Sequence, residues 1–319
     1  MADLTLSTEL QGSAIKFRKT LLQLPSIGIQ DAVQHMTPRP GVIHKETVSD
    51  LTGSMELRPY NGDKNAGKNI GINSRTLETF LGSCVEEFDP NSLRSTIYGQ
   101  LLASGGVIQN SQINKGILMK IMKSVMEKLN TSLCSATRNA TGKTTATLFN
   151  GFDTITQAEI TAAKISAALK NYTEVAKITD DNAYDIINGI YTSASDDLQS
   201  TKTKLFVPRS VYNSYNKDYQ QTVGSTLYNK EFKKVFVEGS GDLCELAPII
   251  AKKNSSFLHL TTKSNMLYGF GNGLDSQEQI RVRECDNPFL MQFVLALFFG
   301  VEFESISDKR LLVVKVASE

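Results

Sequence analysis

The sequence has few of the residues that build metal centres and nucleophilic sites. Three histidines and four cysteines are spread over 319 residues without a Cys-x-x-Cys pair: His35, His44, His259, Cys84, Cys134, Cys244 and Cys285. A zinc site needs ligands at short, regular spacings, and a Ser-His or Cys-His catalytic pair cannot be assigned among so few candidates. The cysteines are therefore predicted to be unpaired thiols in a reducing cytoplasm.

The sequence also lacks an excess of either charge. Lys and Arg number 34 against 33 for Asp and Glu, which gives a net charge of +1. A protein whose main task is to grip nucleic acid usually carries a clear basic excess, so that class is disfavoured. Near-neutrality also weakens the long-range repulsion between copies, and many copies can therefore pack side by side.

Long apolar runs are absent as well. The most apolar stretch, Phe289 to Val301, contains Gln292 and is shorter than the roughly 20 residues of a membrane helix, so it is predicted to be a buried strand. The first residues, Met-Ala-Asp-Leu-Thr, do not resemble a signal peptide. With 40% apolar residues, the chain is expected to form one large or two intergrown domains of a soluble protein made in a cytoplasm.

The first 88 residues predict an arm followed by a long hairpin. The arm contains a weakly helical segment, 7–24, which could equally be a simple surface helix, and prolines after it fix an extended stretch. Two polar extended segments, 42–60 and 70–88, flank a run of turn-forming residues at 61–69. Such a hairpin is marginally stable by itself. The sequence leaves open whether it leans on a neighbouring subunit or lies on its own sheet.

A long amphipathic helix from about Asn114 to Cys134 is the clearest element. Its apolar residues step by four, and others widen the stripe: Ile113, Ile117, Leu118, Ile121, Met122, Val125, Met126, Leu129 and Leu133. Its lysines lie largely off that stripe: Lys115, Lys120, Lys123 and Lys128. At 1.5 Å per residue the helix is about 32 Å long, enough to be the spine of a flat, extended domain.

The remaining chain mixes helices and strands without regular βαβ alternation, which predicts an α+β fold. Helices are expected near 157–169 and 182–195 and from Ser210, with Asp180 or Asp181 as the N-cap of the second. Strands are expected at 204–207, 235–237, 247–251, 257–261, 266–268, 279–284, 289–303 and 310–316.

This succession of elements resembles the major capsid proteins of tailed bacteriophages, whose architecture is called the Johnson fold. The resemblance extends from about residue 105 to the end and lies in the order and spacing of short pieces. These are Leu148-Phe149-Asn150-Gly151, the helix Tyr184 to Ala194, the strand Leu205 to Pro208 with Arg209 and Tyr212, the stretch Ser264 to Gly269, and Phe298-Phe299-Gly300-Val301.

The resemblance implies a structural subunit, not an enzyme, that self-assembles into an icosahedral shell around a phage genome. It implies an N-terminal arm (1–42), an extended loop reaching over the adjacent subunit (43–105), a peripheral domain with the spine helix (106–175), an axial domain (176–285) and returning strands shared by both domains (286–319). The implied partners are other copies in pentamers and hexamers, scaffold, portal and decoration proteins, and packaged double-stranded DNA, held lightly and without sequence specificity. No membrane is implied. The implied location is the virion capsid, after assembly in the bacterial cytoplasm.

Two alternatives stay open. An encapsulin-type compartment would share the fold and enclose enzymes instead of DNA. A nucleotide-binding enzyme would use Gly142-Lys143-Thr144, which ends like a phosphate-binding P-loop. However, Thr137 stands where that motif has its first glycine, and the segment follows a helix instead of a strand.

Other motif-like segments are predicted to be structural. The glycine-rich stretch 269–273 is followed by Leu274 where a dinucleotide loop has its third glycine, which favours a tight turn. Gly239-Ser240-Gly241 is not a nucleophile elbow. Glu86-Glu87 and Asp180-Asp181 are expected to be solvated or capping carboxylates. The sequence therefore predicts no catalytic, cofactor-binding or metal-binding residue, and no cofactor.

Some members of the family join their subunits through a Lys–Asn amide, helped by a buried Glu. The matching strand here, Phe289 to Gly300, has Gln292 as its only polar side chain and no carboxylate. Lys64 and Lys68 near the hairpin tip could donate an amine, but the acceptor and the base are missing. No such crosslink is expected.

Overall fold

The computed structural model describes residues 12–14, 16, 32, 34–52, 59, 71–89, 110–223, 235–271, 280–287 and 290–317. The strands are β1 (Thr37–Pro40), β2 (Lys45–Thr52), β3 (Gly71–Glu78), β4 (Phe80–Phe88), β5 (Tyr172–Val175), β6 (Thr203–Val207), β7 (Val235–Phe236), β8 (Cys244–Pro248), β9 (Phe257–Thr262), β10 (Met266–Gly271), β11 (Ile280–Glu284), β12 (Met291–Phe303) and β13 (Leu311–Val316). The helices with defined ends are α1 (Asn110–Ser132), α2 (Phe152–Thr161), α3 (Ala183–Ser193), α4 (Asp196–Gln199) and α5 (Arg209–Val223). The α+β class is confirmed.

The five-stranded sheet is organised around β12. Strand β4 pairs along one edge of β12, from Phe80 opposite Phe299 to Phe88 opposite Met291. Strands β10 and β11 pair with the other edge, one behind the other. Strand β1 completes the sheet in parallel with β10, and its two prolines suit a strand at the edge of a sheet. The prediction that this apolar stretch is a buried strand is confirmed for Met291–Phe303.

Helix α1 packs against this sheet, but its buried face differs from the predicted one. Leu118, Met122 and Met126 are at most 1% exposed and lie in the main apolar core. Ile121 and Val125, which the step of four placed at the centre of the stripe, are only partly buried. The predicted helix is therefore present, and its buried stripe is rotated toward the methionines because the sheet lies on that side.

The segment that follows α1 is fixed by close packing on β12. Phe149 and Phe152 place their rings 5.0 Å from those of Phe299 and Phe303, respectively. A Cβ atom at Gly151 would lie 2.3 Å from the carbonyl oxygen of Cys134, so only glycine fits there. The Phe-Asn-Gly step after the long helix is thus a packing requirement.

The six-stranded sheet has the order β5-β13-β9-β6-β8-β7 and forms a second core with α3 and α5. This core includes Ile187, Ile190, Leu205, Tyr215, Leu246, Leu258, Leu260, Leu312 and Val314. The two sheets are joined in sequence where β9 leads to β10 and where β12 leads to β13. Strand β12 belongs to the five-stranded sheet and β13 to the six-stranded sheet, so the C-terminal part of the chain contributes to both.

Three local predictions are corrected. The single extended segment 70–88 is interrupted at Thr79, so that β3 belongs to the hairpin and β4 to the five-stranded sheet. The helix predicted near 157–169 begins at Phe152 and ends at Thr161. The N-cap of α3 is Asn182, while an Asp218 carboxylate oxygen accepts a hydrogen bond from the Tyr184 amide at 2.7 Å. The predicted helix 7–24 and the hairpin tip lie almost wholly outside the described residues.

Candidate subunit-contact surfaces

The hairpin formed by β2 and β3 exposes most of its surface. Its strands pair antiparallel from Lys45 opposite Glu78 to Thr52 opposite Gly71. Ile72, near the far end, is 66% exposed, which is a large apolar side chain left without cover in a single subunit. A single exposed apolar side chain is common on protein surfaces, so Ile72 marks the far end of the hairpin as exposed and does not identify a partner.

The base of the hairpin, in contrast, is anchored on its own subunit. Val48 and Leu77 pack with Val42 and Leu267 in a small buried cluster. Where the chain crosses the five-stranded sheet, a Cβ atom at Gly300 would lie 2.0 Å from the Glu78 carbonyl oxygen. A glycine is required for this close approach of two backbones. The hairpin is therefore fixed at one end and exposed at the other.

Arg75 clamps the hairpin base to the sheet. Its guanidinium contacts the Glu302 carboxylate at 2.8 Å and the Glu159 carboxylate at 2.9 Å, and its Nε donates to the Phe303 carbonyl oxygen at 3.2 Å. Burial lowers the pKa of Arg75, but the two carboxylates outweigh it and raise the pKa above its ordinary value. Burial raises the pKa of Glu302, and Arg75 only partly offsets this effect.

A second surface is an open groove of about 1160 Å³ between β4, α1 and the loop 138–148. Its apolar lining includes Leu81 and Val85 of β4, which are 48% and 53% exposed, together with Ile121 and Val125 of α1. Apolar side chains in a concave surface are typical of a contact for another protein segment. Sequence periodicity missed this groove because it assigned Ile121 and Val125 to the core.

The P-loop-like segment lines one end of this groove but does not form a phosphate cradle. The amides of Thr141, Gly142 and Thr144 bond within the loop, to Asn139 and to Thr147. A phosphate cradle needs such amides free and pointing at the ligand, ahead of a helix N-terminus. These backbone donors are already used, so the geometry does not support the nucleotide-binding alternative.

The two glycine-rich segments are structural too. Gly269 and Gly271 lie within β10, where a Cβ atom at Gly271 would lie 2.1 Å from the Val42 carbonyl oxygen. As far as Gly271 the segment is therefore a strand beside the hairpin base, where a tight turn was predicted. Gly239 and Gly241 have φ of +78° and +58° in a tight turn, and the Ser240 hydroxyl between them donates to the Val237 carbonyl oxygen at 2.5 Å. These residues serve packing and chain reversal.

One buried cluster joins acid, base and amine groups, and no local sequence pattern indicates it. Lys252 is fully buried and its Nζ donates to Asp153 at 2.5 Å, to the Phe257 carbonyl at 2.8 Å and to His259 Nδ1 at 2.8 Å. His259 Nε2 then donates to Thr156 Oγ1 at 2.9 Å. Burial, reinforced by Lys252, holds the pKa of His259 well below its ordinary value, so the ring is neutral. Lys252, His259 and Thr156 are fully buried, Asp153 is 13% exposed at the margin, and the cluster ties α2 to β9.

The remaining candidate groups stay apart. Burial raises the pKa of Cys134 and of Cys244 to about 12, so these thiols are protonated. Glu86 and Glu87 are exposed, and Asp180 pairs with Lys217 at 2.6 Å. Within the described residues, His, Cys, Asp and Glu form no group of three that could hold a metal ion. No helix in the described parts of the chain is long and apolar enough to span a membrane.

Comparison with known proteins rests on structure alone. Neither a known family nor a curated protein matches the sequence. The structure of the satellite phage P4 procapsid with its size determination protein matches 94% of this chain and 91% of its own chain, with a TM-score of 0.60 and 11% identity. This chain has the fold of the tailed-phage capsid subunits. The predicted fold is confirmed.

Two further capsid structures support the same fold. The capsid of an empty GTA particle matches 91% of this chain and 90% of its own, with a TM-score of 0.52 and 10% identity. The capsid of Myoviridae phage XM1 matches 89% of this chain and 90% of its own, with a TM-score of 0.51 and 13% identity. The similarity in fold thus covers about nine tenths or more of the chain in each comparison.

Proposed function

We propose that this chain is the structural subunit of an icosahedral shell that encloses a phage genome. The observation that carries the proposal is the capsid fold over 94% of the chain, at a TM-score of 0.60. The hairpin supports it, because its base is anchored by Leu77 and Arg75 whereas Ile72 is left exposed at the far end. A hairpin that is anchored at its base and exposed at its far end is suited to contact with another copy of the chain.

Each region then has a role in the shell. Residues 1–42 are the arm, and 43–105 contain the loop that reaches over the adjacent subunit, with β2 and β3 as its paired part. Residues 106–175 form the peripheral domain around α1, 176–285 form the axial domain that meets other copies in pentamers and hexamers, and 286–319 are the returning strands. Such heterologous contacts close into rings, and rings into a shell.

The expected partners are other copies first, then scaffold, portal and decoration proteins, and packaged DNA bound lightly without sequence specificity. The subunit acts in the virion capsid after assembly in the host cytoplasm. Catalysis is not part of this role. Two observations support that view: the amides of Thr141, Gly142 and Thr144 are bonded within the loop 138–148, and the amine of Lys252 and the ring of His259 are fully buried.

The test is assembly of the expressed protein, compared with a variant that lacks the far end of the hairpin. Wild-type protein should form closed shells of regular size by negative-stain microscopy. Replacing Asp50 to Ile72 with a short Gly/Ser linker should leave a folded subunit, because Val48, Arg75 and Leu77 remain in place, but should abolish shells. Circular dichroism measures whether the subunit is folded, and sedimentation measures whether it assembles. A wild type that stays monomeric, or a variant that assembles normally, contradicts the proposal.

A further inference from the structure

The charge of this nearly neutral chain is distributed unevenly. Between Asn110 and Phe152 there are six basic side chains and one acidic one, a formal charge of +5, although the whole chain carries +1. The basic residues are Lys115, Lys120, Lys123, Lys128, Arg138 and Lys143, and the acidic one is Glu127. A local excess of this size creates a positive surface, even though the net charge of the whole protein is close to zero.

The structure brings five of these residues onto connected surfaces, which we call the basic band: Lys120, Lys123, Lys128, Arg138 and Lys143. The three lysines are exposed on α1, and Lys120 and Lys128 are about 12 Å apart along the helix axis. The loop 138–148 lies beside α1, and Lys128, Arg138 and Lys143 line the groove, whereas Lys120 and Lys123 are exposed on α1 outside it. The hydroxyl residues Ser124 and Thr145 line it as well.

The band is available to a partner. Lys123 contacts Glu127 at 3.9 Å, but both side chains are mostly exposed, so the pair is weak. Lys120, Lys128 and Lys143 form no ion pair with any residue that the structure describes. Arg138 stacks over the Phe80 ring at 4.5 Å, which fixes its guanidinium at the groove. Water solvates these exposed cations in a single subunit, and a polyanion or an acidic surface can replace that water and pair with them.

We propose that the basic band contacts the phosphate backbone of the enclosed double-stranded DNA, without sequence specificity. This places the α1 side of the five-stranded sheet on the inside of the shell. The inference rests on the proposed function and deepens it. Lysine, arginine and hydroxyl side chains are the usual partners of DNA phosphates, and none of them reads the base sequence.

The rival partner is an acidic surface on a second copy of the chain. Residues 174–199 hold six acidic side chains and one basic one. Several of these acids already have partners within the subunit: Asp180 contacts Lys217 at 2.6 Å, and Asp197 contacts Lys309 at 3.3 Å. DNA is favoured because two of the six acids are held in ion pairs at 2.6 and 3.3 Å, whereas the basic band has one longer pair, Lys123 with Glu127 at 3.9 Å.

The test compares two variants with equal charge loss. One carries Lys→Gln at Lys120, Lys123, Lys128 and Lys143, and the control carries Lys→Gln at Lys202, Lys253, Lys263 and Lys315, which are exposed and outside the band. Binding of a labelled DNA duplex to the unassembled subunit is measured by fluorescence anisotropy over about 50 to 200 mM salt. The band variant should lower the slope of log Kobs against log salt by about 3 to 4, because each phosphate contact contributes about 0.9. The control should keep the wild-type slope.

Two outcomes overturn the inference. If both variants lose DNA affinity equally, any surface lysine contributes and the band is not a specific contact. If the band variant binds DNA as well as the wild type but self-associates more weakly in sedimentation, the band contacts a second copy instead. Negative-stain microscopy of the wild type and both variants separates the test of shell assembly from the test of DNA binding. Failure of the wild type to form shells refutes the proposed function, whereas normal shells with unchanged DNA binding refute only this inference.

Discussion

The two neighbouring positions 121 and 122 on α1 should respond very differently to an inserted charge. Met122 is fully buried on the face of α1 that packs in the main core, whereas Ile121 lines the open groove. Replacing Met122 by Asp removes a buried side chain, at a cost of about 2–5 kcal/mol, and leaves a carboxylate without a partner, at several more. Because a folded domain is stable by about 5–15 kcal/mol, Met122→Asp should be unfolded or insoluble.

Ile121→Asp should instead fold. Its carboxylate can reach water in the groove, so the cost should be limited to partial loss of burial and a lower helix propensity, about 1–2 kcal/mol. Urea unfolding followed by circular dichroism measures both variants. Met122→Leu, which keeps the volume, is the matched control and should lose less than about 1.5 kcal/mol. Equal destabilisation by Asp at positions 121 and 122 would refute the assigned buried face of α1.

Three further outcomes are expected. Gly300→Ala should destabilise the subunit by about 1–3 kcal/mol in urea unfolding, because the added Cβ meets the Glu78 carbonyl oxygen. The control, Gly189→Ala, adds a Cβ into open space in α3 and should be neutral or slightly stabilising. Equal effects of the two substitutions would disprove the close approach at Gly300. The lowered pKa of His259 means that the unfolded chain binds a proton that the folded chain does not. Stability should therefore fall as pH drops below about 6.5, by roughly 1.4 kcal/mol per unit, and His259→Gln should reduce that dependence; an unchanged pH profile would show that the ring is not held neutral. Shells boiled in detergent and reductant should run as single subunits on denaturing gels, since β12 has no carboxylate before Glu302; ladders of covalent oligomers would contradict this.

Local patterns in the sequence predicted many of the elements. The apolar steps of four predicted α1, and the apolar and β-branched runs of the C-terminal third predicted β9 to β13, within a few residues. Their order without βαβ alternation predicted the α+β class and supported the resemblance to capsid proteins. These features depend on residues within one turn of helix or one strand, so the sequence alone determines them.

Tertiary structure alone decided how these elements are used. The side on which the sheet lies determines that Met122 rather than Ile121 is buried, although both fit an apolar stripe. Backbone pairing with β12 assigns β4 to the sheet and leaves β3 in the hairpin. Thr156 and His259 are 103 residues apart, and no local pattern connects them. Buried clusters, grooves and charged surfaces arise from partners that are distant in sequence, and only the folded chain brings those partners together.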